Sequence, residues 1–475
     1  MVNKIVVLGA GSGGYVAAIR AAQLGADVTV IENDQVGGTC LNWGCVPSKI
    51  LKTTADKLDV SHRFEEFGII AKGKLHVDMG VLAERRRRVI ETQQKAIEML
   101  LKKNKIKCER GKGRVLGHGK IEISTLNGES NIIVWDKLLI ASGSRIAEVP
   151  SLPFDGKRII SSNEALFLDH IPTSIVILGG GVIGCEFSSI FAGLGSKVTV
   201  VESMGRLLPL PSVDEENSKV LQREMKKRKI DFFLNRTVKG VEYEKSGICA
   251  KIDQFSPNDN LEKEGPVIVT AEKLLVCTGR RPNTDDIGID SIGVTMDENG
   301  WILVNKKMNT NVENVYALGD VLGPDKIMMA HVASAEGIVA AENATGGNSS
   351  MEYNAIPGAI FTTPEVADVG LTEVQAISQG IEIDCDTVLF RNISKAHVTG
   401  EIAGQLKMIS KRDTGKIIGI HIIGPHATDL IAEGALAVER GCTVKQLANI
   451  VHAHPTLPEI MLETSYKLLG RGIHG

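Results

Sequence analysis

The chain has 475 residues, 43% of them hydrophobic and 23% charged, enough for roughly three or four domains with well-covered cores. A net charge of -3 excludes the strong positive field that draws a protein to nucleic acid or to an anionic membrane, and no apolar run approaches the ~18–20 residues of a membrane span. Eight cysteines, at 40, 45, 108, 185, 249, 277, 385 and 442, do not form the closely spaced framework of a small secreted domain. The N-terminus lacks the apolar h-region of a signal peptide, so the expectation is a cytoplasmic protein that acts on small molecules.

Residues 4–32, "KIVVLGAGSGGYVAAIRAAQLGADVTVIE", run apolar strand, G-x-G-x-x-G, amphipathic helix, Leu-Gly turn, second strand and acid. Residues 174–202, "SIVILGGGVIGCEFSSIFAGLGSKVTVVE", repeat the same order. In each copy one glycine (Gly9, Gly179) permits a tight turn, a second (Gly11, Gly181) admits a pyrophosphate, and a third (Gly14, Gly184) lets helix and strand pack closely. Phosphates then rest on a helix N-terminus, where unpaired N–H groups and the dipole favour anions. Glu32 and Glu202, at the tips of the second strands, can accept hydrogen bonds from a ribose diol. A lone G-x-G-x-x-G is a weak signal, but the full pattern occurring twice implies two bound dinucleotides. A carboxylate at 202 favours NAD over NADP, although Arg206 stands nearby.

Between the two copies lies "GGTCLNWGCVPSK" (37–49), with Cys40 and Cys45 separated by four residues. In a regular helix their Cα atoms would be about 8–9 Å apart, beyond the ~7 Å limit for a disulfide, so the backbone must bend if a bond is to form. Gly44 permits the bend, and Pro47 removes an N–H that would have bonded back to Trp43. A buried inert pair, a structural clip and a metal site are the alternatives. The clip would close too small a loop to stabilise much, and the metal lacks further ligands nearby. Beside a dinucleotide fold, a redox couple is the better reading.

Further along, Glu84 is followed by four arginines (85–88) and by Leu82, Val89, Ala96, Met99 and Leu100 near helical spacing. This predicts an amphipathic helix with the arginines on its wet face. "KLLIASGS" (137–144), "KLLVCTGRRPNT" (273–284) and "NVYALGD" (314–320) read as strands ending in glycine turns. Asp320 there could meet a ribityl or ribose hydroxyl or could simply cap a helix. Residues 252–266 read as a polar hairpin tip. From about 351 alternating strands and then helices suggest a separate α+β domain.

In "VHAHPTLPE" (451–459), Glu459 suits a capping box and equally suits holding the ring of His454 so that the imidazole takes a proton from a thiol. His452 is the weaker candidate, since nothing downstream holds it.

With these segments in view, the sequence resembles the dihydrolipoyl dehydrogenases of the pyridine nucleotide-disulfide oxidoreductase family over essentially its whole length. The resemblance implies an α/β fold with two Rossmann-like FAD- and NAD(P)-binding domains and a C-terminal α+β dimerisation domain. The expected boundaries are 1–149 and 281–350 for FAD and the central part, 150–280 for NAD and 351–475 for the interface. It implies FAD on the first unit, with Lys49, Gly113, Ser142, Gly143, Asp320, Met328, Met329, Ala330 and His331 among its contacts, and NAD on the second, with Val238 and Gly279. Cys45 would lie nearest the flavin, Cys40 would exchange with substrate, Lys49 would pair with Glu186, and His454 and Glu459 would serve the other subunit of a homodimer. Reduced lipoyl groups would come from separate lipoyl domains of 2-oxoacid dehydrogenase or glycine cleavage complexes, since no lipoyl domain precedes residue 1. A related disulfide or mercuric-ion reductase using NAD(P)H is the enzymatic alternative, and a non-catalytic flavoprotein scaffold is the other. Against mercuric reductase, the last cysteine is Cys442 rather than a terminal pair. No metal site is expected.

Overall fold

The computed structural model describes residues 3–73, 75–125, 127–255 and 265–474. The chain forms two compact units, one of Met1–Ile50, Asp78–Glu148 and Gly279–Glu352 and the other of Leu51–Val77, Val149–Thr278 and Tyr353–Gly475.

The first unit is organised on the strand Lys4–Leu8, buried from Ile5 onward, as an apolar run covered on both faces of a parallel sheet should be. It pairs in parallel with Asp27–Glu32 on one side and Lys137–Ile140 on the other. Lys107–Arg110 and Val315–Ala317 complete a five-stranded parallel sheet. A separate antiparallel sheet of Lys112–Gly117, Lys120–Ser124 and Ser130–Val134 precedes the closing strand. The long helix Met79–Lys103 buries Leu82, Arg86, Ile90, Ile97 and Leu101. The expectation of an all-wet arginine face is therefore corrected. Arg86 lies on the buried stripe, where desolvation lowers its pKa, while Met99 and Leu100 are exposed. The buried stripe is turned to one side of the expected one: at about 100° per residue, Arg86, Ile90, Ile97 and Leu101 lie on one side of Leu82, and Val89, Ala96 and Met99 lie on the other.

The second unit repeats the plan. Ser174–Leu178 pairs in parallel with Lys197–Val201 and Lys273–Val276, flanked by Asp231–Phe233 and Ile159–Ile160. A three-stranded antiparallel sheet of Arg236–Glu244, Gly247–Gln254 and Val267–Ala271 again precedes the closing strand. The expected polar tip falls largely on residues 256–264, outside the described residues.

The remainder of this unit carries a five-stranded antiparallel sheet in the order Gly358–Ile360, Glu365–Gly370, Ile417–Gly424, Gln405–Lys411, Ile383–Leu389. The helices Ala427–Glu439, Val444–Ala448 and Glu459–Leu468 follow it. Its core gathers Phe390, Leu406, Met408, Ile420, Ile422, Ile460 and Met461, each such side chain stabilising the fold by about 1.5–3 kcal/mol relative to exposure.

Candidate active site

The first glycine loop is held by backbone geometry. Gly9 has φ +106, a region L-residues rarely adopt, and a Cβ there would collide with the Ala141 carbonyl oxygen. A Cβ on Gly14 would collide with the Gly9 carbonyl. Gly11 precedes the helix Ser12–Gln23 without any side-chain cap, and the first turn carries no acid, so its N–H groups are left to bind an anion. Glu32 is buried; it accepts from Ala10 N–H at 2.7 Å and Asp34 N–H at 2.8 Å. Burial raises its pKa, and those two N–H groups oppose the rise.

The second loop has the same construction. Gly179 has φ +110, Gly181 leaves the helix Val182–Leu194 uncapped, and a Cβ on Gly184 would meet the Gly179 carbonyl. Glu202 accepts from Gly180 N–H at 2.6 Å and Met204 N–H at 2.7 Å. Arg206 donates to the Leu210 carbonyl at 2.9 Å, engaged with its own loop.

The other expected contact residues are distributed as follows. Ser142 Oγ is buried and has no partner among the described residues, as a hydroxyl awaiting a ligand would be. Gly143 (φ +72) has open space around it, and Gly113 packs under Leu8. Asp320 sits in the short 3-10 helix Gly319–Leu322 and accepts from Ser144 Oγ at 2.8 Å. Met328 and Met329 lead into the helix Ala330–Ala344, which carries His331 and has no side-chain cap. Val238, in the second unit, is buried in the core at a bulge, and Gly279, which opens the last segment of the first unit, has φ +129 with open space around it. Both loops, their carboxylates and their uncapped helices fit a dinucleotide.

The sequence offered no reason to single out Arg280. It donates to Ser144 Oγ at 2.6 Å and to Ser144 O at 2.8 Å, lies 3.7 Å from Asp320, and acts electrostatically on Cys45. Its pKa is lowered by burial, against the pull of Asp320. The only hint was the adjacent strand end in "TGRRPNT".

The cysteine pair lies in the crossover of the first unit. The chain makes the bend it was expected to need: the helix Gly38–Trp43 stops, Gly44 breaks the run, and a new helix, Cys45–Ser61, begins. Pro47 falls in its first turn, where a missing N–H costs nothing. Gly38 packs so closely on Gly11 that a Cβ would meet the Gly11 Cα at 2.6 Å, which brings this motif to the first glycine loop. Trp43 is tied by its indole N–H to Asp34 Oδ2 at 3.0 Å, and Asn42 accepts from Gln94 at 2.7 Å.

Both cysteines are thiols in this structure. The Cys40 thiol is lowered from 9.0 to about 7, first by its hydrogen bond with Cys45, then, against burial, by the Ser12 hydroxyl, the Lys49 ammonium and the Cys45 N–H. Ser12 and Cys45 each open a helix, so the sulfur sits on two helix N-termini, a setting that favours thiolate.

The second cluster is near the C-terminus. His454 Nδ1 donates to Glu459 Oε1 at 2.8 Å, while Glu459 Oε2 accepts from Thr456 N–H at 2.8 Å. The two readings of Glu459 therefore hold together, one oxygen each. Burial raises the Glu459 pKa, but Thr456 N–H and His454 outweigh it, so the net shift is downward. The His454 ring is well exposed. Its Nε2 has no protein partner among the described residues, as a proton acceptor requires. His452 is held after all, by Glu433 at 2.9 Å, from a helix upstream rather than from downstream sequence. Glu186, 8% exposed, accepts from Phe361 N–H at 3.0 Å.

Two parallel-sheet dinucleotide units, one carrying a dithiol against its phosphate loop, define a nucleotide-dependent disulfide oxidoreductase. The chain belongs to the pyridine nucleotide-disulphide oxidoreductase family, whose pattern matches residues 3–337, with the family's dimerisation domain at 356–465. It is 38% identical to a dihydrolipoyl dehydrogenase of Bacillus subtilis, over 99% of this chain and 98% of that protein. It is 36% identical to a leghemoglobin reductase of Glycine max, over 98% of this chain and 87% of that protein. Among solved structures, LpdA from Mycobacterium tuberculosis superposes with a TM-score of 0.90 at 26% identity, over 98% of this chain and 100% of that one. FAD and NAD are the cofactors of this enzyme family. No helix among the described residues is long and apolar enough to cross a membrane.

Proposed function

We propose that this chain is a dihydrolipoyl dehydrogenase, oxidising the dihydrolipoyl group of a lipoyl domain from a 2-oxoacid dehydrogenase or glycine cleavage complex and reducing NAD+. It acts as a homodimer in the cytoplasm, with residues 351–475 as the interface domain. The observation that carries this reading is the Cys40–Cys45 dithiol beside the first phosphate loop, with the Cys40 thiol lowered to about 7.

On this reading the first loop, Glu32 and Asp320 hold FAD, and the second loop and Glu202 hold NAD, whose ribose diol suits a carboxylate that a 2′-phosphate would repel. FAD supplies the two-electron link between the thiols and NAD+. The remaining steps belong to the chain's own residues. His454 Nε2 takes a proton from a dihydrolipoyl thiol, Glu459 fixing the tautomer at Nδ1. The substrate thiolate attacks Cys40 Sγ of the oxidised pair, the S–S bond breaks, and Cys45 leaves as thiolate. The second substrate sulfur then attacks the first and displaces Cys40, its proton passing to the departing Cys40 sulfur, which completes the lipoyl disulfide and leaves two electrons on the cysteine pair. Lys49 stabilises the developing negative sulfur.

Cys45→Ser tests it. Turnover of dihydrolipoamide with NAD+ should fall at least ~1,000-fold, about 4 kcal/mol of barrier, and the long-wavelength absorbance of the reduced protein should vanish. Full turnover in this variant rejects the assignment, and a preference for glutathione disulfide or mercuric ion over dihydrolipoamide would redirect it.

A further inference from the structure

The segment that carries His454, residues 450–456, is neither helix nor strand. A proton acceptor must nonetheless stand in a fixed place, since a misplacement of about 1 Å costs on the order of 100-fold in rate. Two contacts hold the downstream side: Thr456 Oγ donates to the Ala453 carbonyl at 2.6 Å, and Thr456 N–H donates to Glu459. The upstream side is held by His452.

The two histidines contrast sharply. The His454 side chain is 69% exposed, with one ring nitrogen engaged. The His452 side chain is 6% exposed, and both its ring nitrogens meet acceptors, Nε2 facing Glu433 Oε1 at 2.9 Å and Nδ1 facing the Ile450 carbonyl at 3.1 Å. Whichever nitrogen carries the proton, its N–H has an acceptor, so the ring cannot turn without breaking a bond. Glu433 is itself immobilised on the helix Ala427–Glu439, whose neighbouring residues Leu430, Ile431, Gly434 and Ala437 are buried. The His452 ring is also near enough to add to the electrostatic field on Glu459.

We propose that His452 and Glu433 are a positioning pair that anchors the 450–456 segment to the helix Ala427–Glu439 and so presents His454 Nε2 to the substrate thiol. This rests on the dihydrolipoyl dehydrogenase reading, in which His454 is the proton acceptor. His452 touches neither substrate nor cofactor in this role.

The test uses the full-length holoenzyme in two assays. Dihydrolipoamide with NAD+ requires the His454 step, whereas reduction of ferricyanide by NADH uses only the cofactors. His452→Leu and Glu433→Ala should each lower kcat for dihydrolipoamide about 10- to 100-fold. They should leave KM for NAD+, flavin content and ferricyanide reduction within about twofold. His452→Gln, whose amide nitrogen can reach the place of Nε2, should recover most of the loss, and the double variant should be no worse than either single one. Unchanged dihydrolipoamide turnover in both single variants overturns the proposal. So does a matching loss of ferricyanide reduction and flavin, which would mean a general structural role. His454→Ala separates the two levels. If it retains turnover, the dihydrolipoyl reading fails; if it loses turnover while the His452 and Glu433 variants do not, only the positioning pair fails.

Discussion

The two nucleotide units are near copies up to the tip of their second strand and differ afterwards. The strand, uncapped helix, second strand and inward carboxylate recur with matching register, with φ +106 and +110 at the first glycine, and with the same pair of N–H bonds onto Glu32 and Glu202. The crossover to the third strand then diverges. In the second unit it holds one helix, Glu215–Lys227; in the first it holds the two helices that bend the cysteine pair together and the long helix Met79–Lys103. The shared part binds, because a phosphate asks only for oriented N–H groups and room. The chemistry was added where a βαβ unit tolerates insertion, close enough to the phosphate loop for Cys40 to use its helix start. On the proposed reading, two copies of one binding device serve as a redox unit and a nucleotide-docking unit because their connections differ.

The largest effects come from breaking the two copies one at a time. Gly9→Ala should yield a colourless protein that does not retain FAD. Gly179→Ala should keep its flavin but bind NADH about 10- to 100-fold more weakly, a loss of roughly 1.4–3 kcal/mol, as expected when a Cβ is forced into a positive-φ turn against a carbonyl. Flavin absorbance and NADH titration read the two losses separately. If Gly179→Ala released the flavin as well, the division of labour between the copies would be wrong.

The duplication could be read from sequence because both of its signals are local: glycine spacing and an acid after a β-branched strand. The bend at Gly44 was legible for the same reason. What escaped depended on partners far along the chain. His452 looked unsupported because Glu433 lies on an earlier helix and only the folded C-terminal domain brings them together. Arg86 looked like one of four wet arginines because a run of like residues hides which one faces inward. Arg280 is tied to Ser144 and Asp320 across three separate stretches of chain.

Thiol reactivity sharpens the contrast at the next level. Against the first loop, Cys40 is lowered to about 7; in the second unit, Cys185 and Cys277 are raised by burial. Thiolate, not thiol, is the nucleophile, so alkylation of the reduced protein by iodoacetamide should rise with pH through about 7 at the Cys40–Cys45 pair. Cys185 and Cys277 should stay unlabelled at pH 8. Cys45→Ala removes the hydrogen bond that does most to lower the Cys40 thiol and should move its midpoint upward toward the ordinary 9.0. Peptide mapping by mass spectrometry would show it, and equal labelling of all four sulfurs would erase the distinction.

The smallest effect concerns a buried ionisable row across the five-stranded antiparallel sheet of the second unit. Asp368 pairs in register with His421, and His421 with Lys407; all three are at most 5% exposed. Lys407 is neutralised by Glu373 at 2.6 Å and Asp214 at 3.3 Å. Asp368 has only the Ser212 hydroxyl against its burial, and its carboxyl is raised from 3.8 to about 7. A carboxyl that holds its proton more tightly folded than unfolded contributes stability that is complete below the unfolded value and lost as pH rises through the folded one. The window therefore runs from about 4 to about 7 here. Above it, a buried anion opposes the fold. Asp368→Asn keeps the shape and removes the charge, so its melting temperature should exceed that of the wild type at pH 8 and not at pH 5, each kcal/mol appearing as about 2–4 °C. A variant that melts lower at both values would mean that the Asp368 anion is stabilised in place by the row beside it, and that the second unit tolerates buried charge where the first relies on backbone N–H groups to neutralise Glu32.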